Sequence, residues 1–218
     1  MALNKLKFNS INVTPVANQA IKFNSSANGF ETGSAGGAMT FIKKLTASSS
    51  STLSFVDGSS DVVLDNTYKE YIFLFNNIHP QTDGQKLTFQ GNASGGSGYN
   101  ETITSSFFRA YHEETGTSAL GYDTGGDQAQ GTSFQQISDT VGSDTDQSCS
   151  GTLHLFNPSS TTFVKHFISR TNTYQTSDYS IDVLSSGYFN TTSAIDEIQF
   201  KMASGNIDSG TITLYGIN

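Results

Sequence analysis

At 218 residues the chain is long enough to bury a sizeable core, and its formal net charge of −8 with scattered Lys and Arg excludes a phosphate-gripping nucleic-acid binder. Its one cysteine, Cys149, excludes an intramolecular disulfide and a Cys-rich zinc site. No run approaches the ~18 apolar residues of a membrane span, and the opening MALNKLKFNS lacks the apolar core of a signal peptide, so synthesis in a cytosol is the expectation.

Only 14% of residues are charged, while Ser, Thr, Asn and Gly abound. Helices need Glu, Lys, Gln and Arg on their exposed faces, so the composition predicts an all-β chain with under about 10% helix.

Residues 1–38 read as an arm. Lys-Phe-Asn-Ser recurs at 7–10 and 22–25, and each copy predicts a short strand followed by a turn. The arm's apolar groups, including Leu6, Phe8, Ile11, Ile21 and Phe23, are too few to close a core alone. They are the expected protein–protein contacts of an assembly arm. The run from Gly33 to Ala38 (GSAGGA) reads as a flexible joint.

From Met39 onward strand patterns are dense. Strands are predicted at 40–46, 53–56, 68–78 (YKEYIFLFNNI, a central strand), 86–90 and 101–112. GNASGGSGY at 91–99 is a loop. Residues 115–146 form the longest polar stretch and read as a loop that is functional or ordered by a partner. Strands follow at 152–156 and 162–169, separated by Asn157-Pro158-Ser159-Ser160, then a polar loop at 171–180 and a strand at 181–189.

Residues 195–217 (IDEIQFKMASGNIDSGTITLYGI) are the best-specified strand pair. Ile198, Phe200 and Met202 alternate with polar residues in one arm, as Ile212 and Leu214 do in the other. The turn-rich segment 203–210 between them predicts a hairpin. Eight to ten short strands with this spacing predict an antiparallel β-sandwich of jelly-roll type over residues 39–218, carrying the extended N-terminal arm. Phe73, Phe75, Leu153, Leu155, Phe163, Phe167, Phe200 and Leu214 are the expected core.

Chemistry is sparsely signalled. His112-Glu113-Glu114 with Asp123 and Asp127 collects acids near one imidazole, but proximity in sequence does not make ligands converge. Asp139 with Asp144-Thr145-Asp146 raises calcium, yet lacks the glycine and distal glutamate of an EF-hand; whether the acidic loops bind calcium stays open. Asp196 and Glu197 are adjacent, so a strand sends them to opposite faces. His154 and His166 sit among Leu, Phe and Val and read as core or interface histidines with a satisfied hydrogen bond. No serine-hydrolase, zinc-protease, P-loop or dinucleotide fingerprint occurs. No enzyme, cofactor or metal is expected.

Tyrosines carry more signal. Tyr99, Tyr111, Tyr122, Tyr174, Tyr179 and Tyr188 fall in or beside polar loops. Such amphipathic rings serve as contact surfaces for proteins or sugars. Tyr99, Tyr122, Tyr174 and Tyr179 are the candidate surface contacts.

The stretch KFNSINVTPVANQAIKFNSSANGFETGSAGG resembles segments of structural proteins from marine tailed bacteriophages. FVDGSSDVVLDNTYKEYIFLFNNIHP, SCSGTLHLFNPSSTTFVKHFISRTNTY and the ending SAIDEIQFKMASGNIDSGTITLYGI are similar to β-sandwich virion proteins of the same group. The resemblance spans most of the chain and carries no catalytic signature. It implies a virion structural component, made in the host cytoplasm, and not a place in the virion; a position on the particle exterior is the reading favoured. A tail fibre or tail-associated appendage for assembly and host attachment is favoured, since the KFNS segments resemble fibre attachment regions. Capsid decoration is the alternative, and a carbohydrate-binding module is a rival of a different class. The expected partners are other virion proteins, further copies of the chain in a homo-oligomer (a trimer favoured) and a host surface glycan, without nucleic acid or membrane insertion.

Overall fold

A computed structural model describes residues 13–14, 20–33 and 38–217. Leu6, Phe8 and Ile11, the first KFNS copy and most of the glycine-rich joint lie outside these residues. The chain divides into two units, with the boundary after Thr40.

Among the described residues of the first unit is an antiparallel hairpin, β1 (Ala20–Phe23) and β2 (Phe30–Gly33). The second KFNS copy thus supplies the end of a strand and the start of its turn. Phe23 stacks on Phe30 with centroids 5.0 Å apart, and Lys22 pairs with Glu31 at 3.4 Å. Ile21 and Phe23 remain exposed, Phe23 at 67%.

The second unit holds the rest: β3 (Met39–Thr46, which begins just before the boundary), β4 (Leu53–Val56), β5 (Glu70–Pro80), β6 (Leu87–Ala93), β7 (Ile103–Glu113), β8 (Ser118–Tyr122), β9 (Gln135–Gln136), β10 (Cys149–Phe156), β11 (Lys165–Gln175), β12 (Tyr179–Phe189), β13 (Ile195–Met202) and β14 (Ile207–Ile217). No helix occurs among the described residues. An eight-stranded sheet runs β3-β14-β5-β10-β11-β12-β7-β8, and a four-stranded sheet runs β4-β13-β6-β9. From β14 to β8 the larger sheet is antiparallel throughout, as is the smaller one.

The two sheets enclose the main core, as in a β-sandwich. Phe55, Phe89 and Phe200 from the small sheet meet Phe73, Phe75, Phe167 and Phe189 from the large one. Phe200 lies 5.2 Å from Phe73 and 5.3 Å from Phe75, edge to face. Seven of the eight expected core residues are buried. Phe163 is the exception, at 69% exposure. It sits in the loop before β11, which starts at Lys165, and Lys165 takes the first inward position instead. The fully buried Lys165 ammonium donates to the carbonyls of Phe163 (3.1 Å) and Thr191 (3.0 Å), and desolvation lowers its pKa.

The C-terminal arms are strands, but they do not form a hairpin. β13 pairs with β4 and β6, whereas β14 pairs with β5 in the opposite sheet. The segment 203–206 therefore arches across the core edge. Alternation reports which side chains face inward and is silent on which strand lies alongside.

Residues 171–175, expected in a loop, continue β11. The inward residues there are Ser169, Thr171 and Thr173, all buried, so the strand lacks apolar alternation. The polar segment after β8 covers them. Its Gln135, Gln136, Ser138 and Asp139 are buried, and Thr171 donates to the Ile137 carbonyl at 2.6 Å. The long polar stretch is thus ordered by its own sheet, with β8 and β9 inside it. His154 lies on the outward face of β10, with Nδ1 2.5 Å from Glu70 Oε1, and His166 is exposed, so neither is a core histidine.

Cys149 is buried at the start of β10, and burial pushes its thiol from 9.0 up to about 12. Above pH 9 the unfolded chain loses this proton while the folded chain keeps it. The stabilisation is therefore complete below pH 9 and is lost as pH rises toward the folded value. Urea melts should show stability falling by about 2 kcal/mol between pH 8.5 and 10.5 from this group. Cys149→Ala should flatten that slope; an unchanged slope would refute the assignment.

Candidate binding cleft

β7 and β12 build the site. Their register sets Phe107 opposite Ser185, Arg109 opposite Val183 and Tyr111 opposite Ile181. Period two turns Phe107, Arg109 and Tyr111 toward the inner side of the sheet with Tyr179, Ile181 and Val183. Phe107, Ile181 and Val183 form a small second core, and Tyr111 and Tyr179 pack on its open end. The two tyrosine rings are diagonal neighbours, 5.4 Å apart and T-shaped at 71°.

The segment after β8 closes one side. Gly126 lies over the Phe107 ring, where any Cβ would come within 2.6 Å. Buried Gln135 ties this segment down. Its Nε2 donates to the carbonyls of Gly126 and Gln136, both at 2.8 Å, and its Oε1 accepts from Ser105 at 2.7 Å. Two carboxylates from the segment then flank Arg109: Nη1 meets Asp139 Oδ2 at 2.9 Å and Nε meets Asp123 Oδ2 at 3.2 Å. The hydrogen bond that Arg109 donates to Asp139 raises the guanidinium pKa further. Asp139 is also held by the Thr140 backbone N–H, which donates to Oδ1 at 2.6 Å. A cleft of about 530 Å³ remains, bounded by Lys86, Arg109, Tyr111, Asp123, Asp139, Gln175 and Tyr179 among others.

The four tyrosines read from the sequence separate. Tyr179 lines this cleft, and burial raises its phenol pKa. Tyr174 and Tyr179 share an adjoining groove with His112, Glu113 and Glu114, where Tyr174 donates to Asp178 at 3.1 Å. Tyr122 stands exposed on β8, against Phe108 and hydrogen-bonded to Asp127. Tyr99 lies apart, half-buried, its hydroxyl donating to Glu197 Oε2 at 2.8 Å. Arg109 was not among the sequence candidates. Its signal was the run Phe107-x-Arg109-x-Tyr111, which puts one cation between two rings on one face of a strand.

The acidic residues disperse. Asp123 and Asp139 serve Arg109, Asp127 accepts from Tyr122, and Asp144 and Asp146 are exposed. Among the described residues no group of three or more His, Cys, Asp or Glu is arranged to hold a metal ion. No protein-family model matches the chain, and comparison with curated proteins and with solved structures yields no match.

Proposed function

We propose that the protein is a structural component of the exterior of a bacteriophage particle, a tail-fibre or tail-associated appendage serving assembly and host attachment. It acts without catalysis, as a homo-oligomer of jelly-roll sandwiches whose arm, residues 1–38, docks on neighbouring virion subunits. The observation that supports this reading is the outer face of the large sheet. Phe108 faces Tyr122 on β8 and Leu184 on β12, and Leu120 and Ile168 extend the patch. All five side chains are exposed, Leu120 at 78%. The Arg170–Asp182 ion pair lies among these side chains; exposed apolar clusters rimmed by polar groups mark protein contacts, so a neighbouring subunit is the fitting cover. Exposed Ile21 and Phe23 of the β1–β2 hairpin give the arm apolar contacts of the same kind.

Light scattering of the purified chain at micromolar concentration should give a trimer. Leu120→Glu combined with Ile168→Glu should yield monomers that keep the β-sheet circular dichroism of the wild type and melt at a lower temperature, because the stabilisation by association is lost. A wild-type monomer would refute the self-assembly reading. Gold-labelled antibody on negatively stained particles should mark tails; label on heads would favour capsid decoration, and unlabelled particles would refute a virion role.

A further inference from the structure

We propose that the cleft between Tyr111, Tyr179 and Arg109 binds a neutral saccharide. The inference goes beyond particle assembly and stands on the cleft alone.

Size comes first. A volume of about 530 Å³ lies within the roughly 300–1,000 Å³ of small-molecule sites. The walls then define the chemistry. A pyranose ring presents C–H groups on its faces and hydroxyls around its edge. Tyr179 and Tyr111 offer half-buried aromatic surface to such a face, and their footing on Phe107, Ile181 and Val183 fixes them in place. Rings held in advance lose little freedom on binding.

The edge of the sugar meets a rigid polar frame. Arg109 uses Nη1 on Asp139 and Nε on Asp123, and among the described residues its Nη2 has no hydrogen-bond partner. Nη2 therefore has N–H donors to offer. Asp123 Oδ2 and Asp139 Oδ2 keep acceptor capacity, because each carboxylate oxygen carries two lone pairs. A donor fixed beside acceptors matches vicinal hydroxyls, each of which both gives and accepts a hydrogen bond.

Charge selects the neutral class. Lys86 and Arg109 offset Asp123 and Asp139 around the cleft, so an anionic or cationic ligand gains no net attraction there. The protein's overall −8 further disfavours acidic sugars.

The test uses the full chain with isotope-labelled tyrosine, followed by NMR of the ring signals. The neutral probes are methyl α-glucoside, methyl β-galactoside, methyl α-mannoside and their trisaccharides, each taken into the millimolar range. Glucuronic acid and glucose 6-phosphate are the charged counterparts, and glycerol controls for nonspecific polyol effects. At least one neutral saccharide should shift the Tyr111 and Tyr179 signals saturably. Tyr179→Ala should weaken that binding about tenfold, equivalent to about 1.4 kcal/mol. Tyr179→Phe should retain it, because stacking needs the ring and not the hydroxyl. Arg109→Lys, which keeps the charge but loses the fork, should weaken it about fivefold or more. Tyr99→Phe, outside the cleft, should leave it unchanged. Melting curves establish that each variant is folded.

The proposal is overturned if no neutral saccharide shifts the two rings, if glycerol shifts them equally, if only the charged sugars bind, or if Tyr179→Ala binds as well as wild type. Each of these results would leave the assembly reading intact, because oligomerisation and particle labelling do not involve the cleft.

Discussion

Phe200→Ala should lower the stability of the sandwich by about 3–5 kcal/mol in urea melts. Phe200 on β13 is fully buried and touches four other rings. Phe55 and Phe89 lie beside it, each 6.2 Å away, while Phe73 and Phe75 approach from the opposite sheet at 5.2 and 5.3 Å. The substitution removes the transfer free energy of a phenyl group. It also leaves a cavity that neighbours on two sheets cannot fill by moving toward one another. Phe163→Ala is the internal control. Its side chain is 69% exposed, so the change should stay within about 0.5 kcal/mol. A loss below about 1 kcal/mol at Phe200 would mean that the two sheets do not meet there.

Gln135→Leu should cost about 2–5 kcal/mol, although it replaces a polar side chain with an apolar one in a buried place. The carbonyls of Gly126 and Gln136 lose their donor, and the Ser105 hydroxyl loses its acceptor. Each buried group left unpaired costs about 1–3 kcal/mol. Leucine offers no return, because the surface it would meet includes Ser105 and Ser185. The loss should begin locally. Hydrogen exchange should rise first in residues 123–142, which cover the polar inward face of β11, before the aromatic core responds. Uniform exchange across both sheets, or a variant as stable as wild type, would contradict this account of the segment.

That segment also shows where sequence reading stopped. Apolar patterning located β4 to the residue and most of β7, β10 and β12 closely, and a continuous apolar run located most of β5, because burial on one face produces alternation and burial on both faces produces a run. β11 broke the rule beyond Ser169. Its inward Thr171 and Thr173 meet another polar segment, so burial there leaves no apolar signature. β8, fully exposed, and the two-residue β9 gave no pattern at all. The candidate cleft was legible only as separate tyrosines, since Arg109, Asp123 and Asp139 come from three places in the chain.

The amino-acid order alone determined an all-β chain, the positions of most strands and the inward faces of Phe73, Phe75, Leu153, Leu155, Phe200 and Leu214. Local periodicity and turn chemistry suffice for these, because they depend on residues within a few positions of one another. The tertiary structure decided which strands are neighbours. It placed β13 and β14 in opposite sheets, although both arms have the pattern of a hairpin, because the apolar faces of an arch satisfy the same alternation when they meet across a core. It also gathered Arg109 and its two carboxylates beside Tyr111 and Tyr179. Contacts between distant segments follow from strand pairing and loop packing, and neither is written in the period of any single strand.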